Sequence, residues 1–137
     1  MAFSITPPLG GVSAVVSFGV PMKVTVAMNR NYQFQRMYQK ASSIPGKFVV
    51  LYHKKNRLAG NRLGITVSKK VGKAVHRNRV RRLIKENYRL MEEKLCQGYD
   101  LVIVARVRAK DANFYEIRAS MQAGFSKANL WKEGNRM

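Results

Sequence analysis

Residues 76–95 read HRNRVRRLIKENYRLMEEKL, a stretch in which apolar and basic residues interleave. Val80, Leu83, Ile84, Tyr88, Met91 and Leu95 recur at helical spacing, which predicts a helix from His76 to Leu95 with one apolar face. Arg81, Arg82, Lys85 and Arg89 fall on the opposite arc; Asn78 points the same way and Arg79 flanks it.

Upstream lies a basic loop, Lys69-Lys70-Val71-Gly72-Lys73, with room for a short strand. Before it, Leu63, Ile65 and Val67 alternate with small or polar residues as in a half-buried strand. Phe48 to Tyr52 reads as another strand, and the two are expected to pair antiparallel across the polar loop Lys54–Asn61. Pro45-Gly46 punctuates the chain. Phe34, Met37 and Tyr38 share one face of a short helix over Asn31–Lys40, which Asn29 or Asn31 can cap.

Downstream, Gly98 ends the long helix, and Leu101 to Ala105 is apolar enough for a strand covered on both faces. Asn113 with Glu116 makes a capping-box start for a last helix that turns Phe114, Ile117, Met121 and Phe125 inward. The order α-β-β-(β)-α-β-α gives a two-layer α+β domain over residues 29–131. Residues 1–28, rich in Gly, Ser, Thr, Pro and Val with one charge, are expected to be a disordered extension, and 132–137 a tail. A secretory signal is not favoured, because the first basic residue is Lys23. The single cysteine, Cys96, excludes an intrachain disulfide framework. No run of 18 apolar residues is present.

Charge narrows the partner. The chain has 26 Lys+Arg against 7 Asp+Glu, a net charge of +19. Every acid lies at Glu86 or beyond, so residues 1–85 hold 17 positive charges and no negative one. Such asymmetry calls for a polyanion. Within 69–89, nine basic residues face one acid, Glu86. The long helix carries its arginines near its N-terminus and Glu92 and Glu93 near its C-terminus, against a macrodipole preference of about 0.3–1 kcal/mol per charge. Phosphate binding supplies a reason, since arginines offer paired donors to phosphate oxygens. Phe34, Tyr38 and Tyr52 fit either core packing or stacking on single-stranded bases, and composition leaves both open.

A protein active site is not expected. Metal-dependent phosphodiester hydrolysis uses clustered carboxylates, which the basic half lacks. His53 and His76 read as surface histidines on different elements. No nucleotide-binding glycine loop is present. These features describe a binder.

The run Val67 to Glu86, VSKKVGKAVHRNRVRRLIKE, closely resembles the signature of the bacterial ribonuclease P protein family. Arg77-Asn78-Arg79 with Arg82-Leu83 matches its central helix, and Ser68-Lys69-Lys70 the element before it. The resemblance extends through Phe34 to Tyr38, Phe48 to Tyr52 and Tyr99 to Arg106, covering roughly 29–131. It implies an αβββαβα fold with a small mixed sheet and a left-handed crossover. It implies a subunit of a tRNA-processing endoribonuclease whose RNA performs the hydrolysis with bound magnesium, so that no protein side chain is catalytic. Lys69, Lys70, Arg77, Asn78, Arg79 and Arg82 would dock on the catalytic RNA. Phe34, Tyr38, Tyr52, Arg81 and Lys85 would hold the single-stranded 5′ leader of precursor tRNA. The implied location is the cytoplasm, with neither DNA nor membrane as partner. The alternative is a general RNA-binding or ribosome-associated protein.

Overall fold

The computed structural model describes residues 25–132, which build a mixed five-stranded sheet and three helices. The most apolar strand sits at the centre. In β5 (Tyr99–Ala105) every residue after Tyr99 is buried, so it takes the position where both faces are covered. β4 (Asn61–Thr66) runs parallel to it, with Leu63 opposite Leu101 and Ile65 opposite Ile103. β3 (Val49–Lys55) runs antiparallel on the other side, with Leu51 opposite Ile103. β1 (Thr25–Ala27) and β2 (Ser42–Pro45) form the edges, giving the order β1-β4-β5-β3-β2.

The two strands expected to pair with each other are therefore separated by β5. Short loops favour neighbours in sequence, but a strand with no polar face cannot lie at an edge without exposing it. The β3–β4 loop instead bridges the start of β5. The Asn56 N–H donates to the Gly98 carbonyl at 2.9 Å, and the Asn56 side chain donates to Gly60 O and to Asp100 Oδ1. Gly98 adopts φ +92°, and a Cβ there would approach the Leu58 carbonyl to 3.3 Å. Only glycine suits that crossing.

Three further expectations change. Lys69–Val71 is a 3-10 turn, with Val71 buried, and the extra strand is Ser42–Pro45. Proline is tolerated in β2 because it lies at an edge. The N-terminal extension does not reach residue 28: Thr25–Ala27 pairs in parallel with Asn61–Leu63, and Met28 is buried. Residues 1–24 and 133–137 of the expected extension and tail lie outside the described residues. The first helix, α1 (Asn31–Lys40), is capped neither by Asn29 nor by Asn31. The Gln33 side chain reaches back and accepts from the Asn29 and Arg30 N–H groups.

Strand alternation divides the core in two. Val49, Leu51, Leu63, Ile65, Leu101 and Ile103 face the inner sides of α2 (Ala74–Met91) and α3 (Phe114–Lys127). Val80, Ile84, Tyr88 and Met91 are the buried stripe of α2, as the periodicity predicts. α3 starts with the expected reciprocal cap: Asn113 Oδ1 accepts from the Glu116 N–H, and Glu116 returns the bond at 3.0 Å. On the opposite face Val50, Tyr52, Val102 and Val104 meet Phe34 and Met37 of α1. α2 links the adjacent parallel strands β4 and β5, which places the start of the basic helix just beyond the C-terminal end of β4.

Candidate nucleic-acid interface

The expected RNA-docking residues collect on the 3-10 turn and the first half of α2. Lys69, Lys70 and Arg82 are exposed and Arg77 is half-exposed; Lys73, not among the expected residues, stands exposed between the turn and the helix. None of these five side chains makes a hydrogen bond or ion pair with a described residue. The other two members are committed internally. Asn78 Oδ1 accepts from Arg81 Nη1 at 3.0 Å, which splints the Arg81 guanidinium along the helix. Arg79 donates to two backbone carbonyls, Lys110 O at 3.2 Å and Ala112 O at 2.8 Å. It clamps the segment before α3 onto α2, a role its sequence position gives no sign of.

The expected leader residues stand on two sides of the sheet. Tyr38 and Tyr52 lie on the α1 side with ring centroids 5.1 Å apart and planes at 78°; Tyr38 is half-buried, whereas Tyr52 is buried in the core. Tyr38 OH shares a 2.7 Å hydrogen bond with Thr66 Oγ1, a partner that sequence reasoning missed. Thr66 occupies the α1-facing phase of β4, which alternation marks only as small and polar. Burial pushes the Tyr38 phenol up to about 12 and raises that of Tyr52, so both rings stay neutral across the physiological range.

Phe34 is not part of an accessible cleft. It is fully buried, with its ring lying on Gly64, where a Cβ would come within 2.6 Å of the ring carbons. Gly64 lets α1 sit close to β4, and Phe34 fills the gap. For Phe34 and Met37 the core-packing alternative holds.

Arg81 and Lys85 belong to α2, on the other side of the sheet. The solvent arc predicted for Lys85 does not hold: the residue is only 5% exposed. It lies seven residues before Glu92, hence on the same helix flank. β1 closes that flank, with Thr25 Oγ1 donating to Glu92 Oε2 at 2.8 Å and sharing a 2.9 Å bond with Tyr88 OH. Burial drives the Lys85 ammonium below its ordinary range, partly offset by Glu86. Burial also lowers the Arg81 pKa, helped by the Arg77 charge. Arg81 Nε is buried without a partner. With Arg81 Nε unsatisfied and both cations desolvated one turn apart, the pair would gain from an anion.

The carboxylates are elsewhere. Asp100 holds Arg62 through two contacts of 2.7 and 2.6 Å, and Glu86 pairs with Arg89. Among the described residues no three His, Cys, Asp or Glu side chains converge on one point.

The basic turn and α2 thus lie on one side of the sheet and the Tyr38–Tyr52 pair on the other. The sequence model of the ribonuclease P family matches residues 22–129. The ribonuclease P protein component of Clostridioides difficile is 48% identical over 99 residues, covering 72% of this chain and 87% of that protein. This chain belongs to the ribonuclease P protein family. A ribonuclease P protein component from Thermoanaerobacter is 40% identical over 106 residues, 77% of this chain and 91% of its own length. The structure is likewise similar to solved members. The Staphylococcus aureus RNase P protein superposes with a TM-score of 0.72 at 34% identity, covering 77% of this chain and 97% of that one. The Thermotoga maritima protein gives 0.61 at 26% identity, over 66% and 86%. The family match starts at residue 22, which takes in β1 and agrees with the ordered edge strand there.

Proposed function

We propose that this member of the family acts as the protein component of a cytoplasmic ribonuclease P, binding the catalytic RNA and the 5′ leader of precursor tRNA. The observation that carries the reading is the row of exposed or half-exposed, internally unpartnered cations Lys69, Lys70, Lys73, Arg77 and Arg82 running from one turn into one helix. Nothing else in the described chain uses them, and RNA phosphate satisfies them. Arg79 and Asn78 act one step back, fixing the neighbouring backbone and Arg81. Half-buried Tyr38 offers the stacking face for leader bases, with buried Tyr52 packed edge-on against it and Phe34 and Gly64 setting its height. Arg81 and Lys85 offer charge from α2 on the other side of the sheet. A general RNA-binding role would use the same cations without depending on a leader.

The described side chains do not fit a magnesium site, because the available carboxylates are dispersed or paired with arginine. Hydrolysis is therefore assigned to the RNA subunit and its ions, and no step is routed through the protein. Affinity of the reconstituted holoenzyme tests the leader claim. Tyr38→Ala or Tyr52→Ala should lose about 1–3 kcal/mol for leader-bearing precursor tRNA and almost nothing for mature tRNA. Equal loss on both ligands with a lowered Tm would instead mark a packing defect.

A further inference from the structure

The sequence places the RNA-docking cations in one continuous stretch, but the fold brings a second, distant segment alongside them. The 3-10 turn Val107–Asp111 packs directly on the turn Lys69–Val71 and on α2. Val71 and Ala109 are both buried beneath them in the main core. This leaves Arg108 exposed and Lys110 half-exposed, beside a surface that already carries exposed Lys69, Lys70 and Lys73.

The second segment is held rigidly. The Ala109 and Ala112 N–H groups close the turn onto Arg106 O and Ala109 O. Arg79 grips Lys110 O and Ala112 O from α2. Arg106 donates from its guanidinium to Gly46 O at 2.8 Å and from its N–H to Phe48 O at 2.9 Å. Arg79 and Arg106 are thus engaged with backbone, whereas the Arg108 and Lys110 side chains make no hydrogen bond or ion pair with a described residue. Asp111, the acid nearest in sequence, is exposed and forms no ion pair with them. Like charges held together on a braced backbone repel one another unless an anion lies across them. Because the backbone is fixed in advance, phosphate contacts there would require little ordering.

We propose that Arg108 and Lys110 form a second phosphate-binding strip, which extends the docking surface from the Lys69–Val71 turn across the Val107–Asp111 turn and takes the backbone of the same RNA. Val107 stands exposed beside the cations and offers an apolar contact to a ribose. The strip rests on the RNA-docking reading above, so the experiment carries an arm for each.

The experiment measures affinity of the full chain for a transcribed bacterial ribonuclease P RNA as a function of salt. The proteins compared are the unaltered chain, Arg108→Ala/Lys110→Ala, Arg82→Ala, and Lys127→Ala at the far end of α3. Removing one cation that touches a phosphate should flatten the log–log salt slope by about 0.7–0.9, so the double variant should flatten it by roughly 1.5. Lys127→Ala should leave it unchanged, and all melting temperatures should stay near that of the unaltered chain. If Arg82→Ala flattens the slope and the double variant does not, the second strip is wrong and the docking reading stands. If neither changes the slope, the docking reading itself fails and takes the strip with it. A double variant that weakens binding without flattening the slope would also overturn the strip, because the weakening would not come from a phosphate.

Discussion

Lys85 carries a charge that its surroundings oppose, and this separates its effect on folding from its use in binding. The Lys85 side chain is largely buried, and the desolvation that depresses its ammonium pKa destabilises the free protein. Lys85→Met should therefore raise stability by about 0.5–2 kcal/mol, read as a higher Tm, while weakening binding of leader-bearing tRNA. The pH dependence has a definite sign. The folded pKa is depressed, so the cost is fully present below it and vanishes as pH rises toward the usual 10.5. The advantage of Lys85→Met should therefore shrink in alkali, and one that grew would contradict the burial argument. Gly64 gives a complementary case. Gly64→Ala drives a methyl to within 2.6 Å of the Phe34 ring and should cost about 1–3 kcal/mol. Adding Phe34→Leu should restore part of it, a coupling that thermal melts of the four-member cycle would measure. Neither residue's role was readable in sequence. A helical wheel assigns Lys85 to solvent because it cannot see the tertiary packing around α2, and Phe34 fits either core packing or stacking until Gly64 is placed beneath it.

At the level of elements, what was legible followed from local chemistry. The span of α1, the inward stripe of α2, the reciprocal cap of α3 and the doubly buried β5 all follow from periodicity and capping. Pairing was not legible, because β3 and β4 are neighbours in sequence and only the lack of a polar face on β5 forces it between them. β1 escaped because three residues are too few for a period, and its place depends on Glu92 and Tyr88 more than sixty residues away. The same limit hid Arg79. A run of arginines reads as one phosphate-binding set, yet Arg79 spans to the segment before α3 while Arg82 stays free. The two should separate on mutation. Arg79→Ala should lower stability by about 1–3 kcal/mol through loss of two charge-assisted hydrogen bonds. Arg82→Ala should leave Tm unchanged and weaken only RNA binding. Equal melts for the two variants would remove the clamp.

For the whole molecule, the fold sorts positive charge from structure. Acids pair or bury where they hold the sheet and α2 together, as with Asp100 on Arg62 and Glu92 on Thr25. The turns and the outer face of α2 keep cations that nothing described neutralises. A net charge of +19 on 137 residues destabilises the isolated chain by self-repulsion, and an RNA partner relieves it. The central claim is that the protein positions substrate and catalytic RNA while supplying no reacting group. Cleavage of precursor tRNA by a bacterial ribonuclease P RNA at low magnesium, with and without this chain, tests it most directly. The chain should restore cleavage that fails at low magnesium, more strongly for leader-bearing substrate, and the RNA-free protein should leave the substrate uncut. Cutting by the RNA-free protein, or an RNA reaction indifferent to the protein, would contradict it.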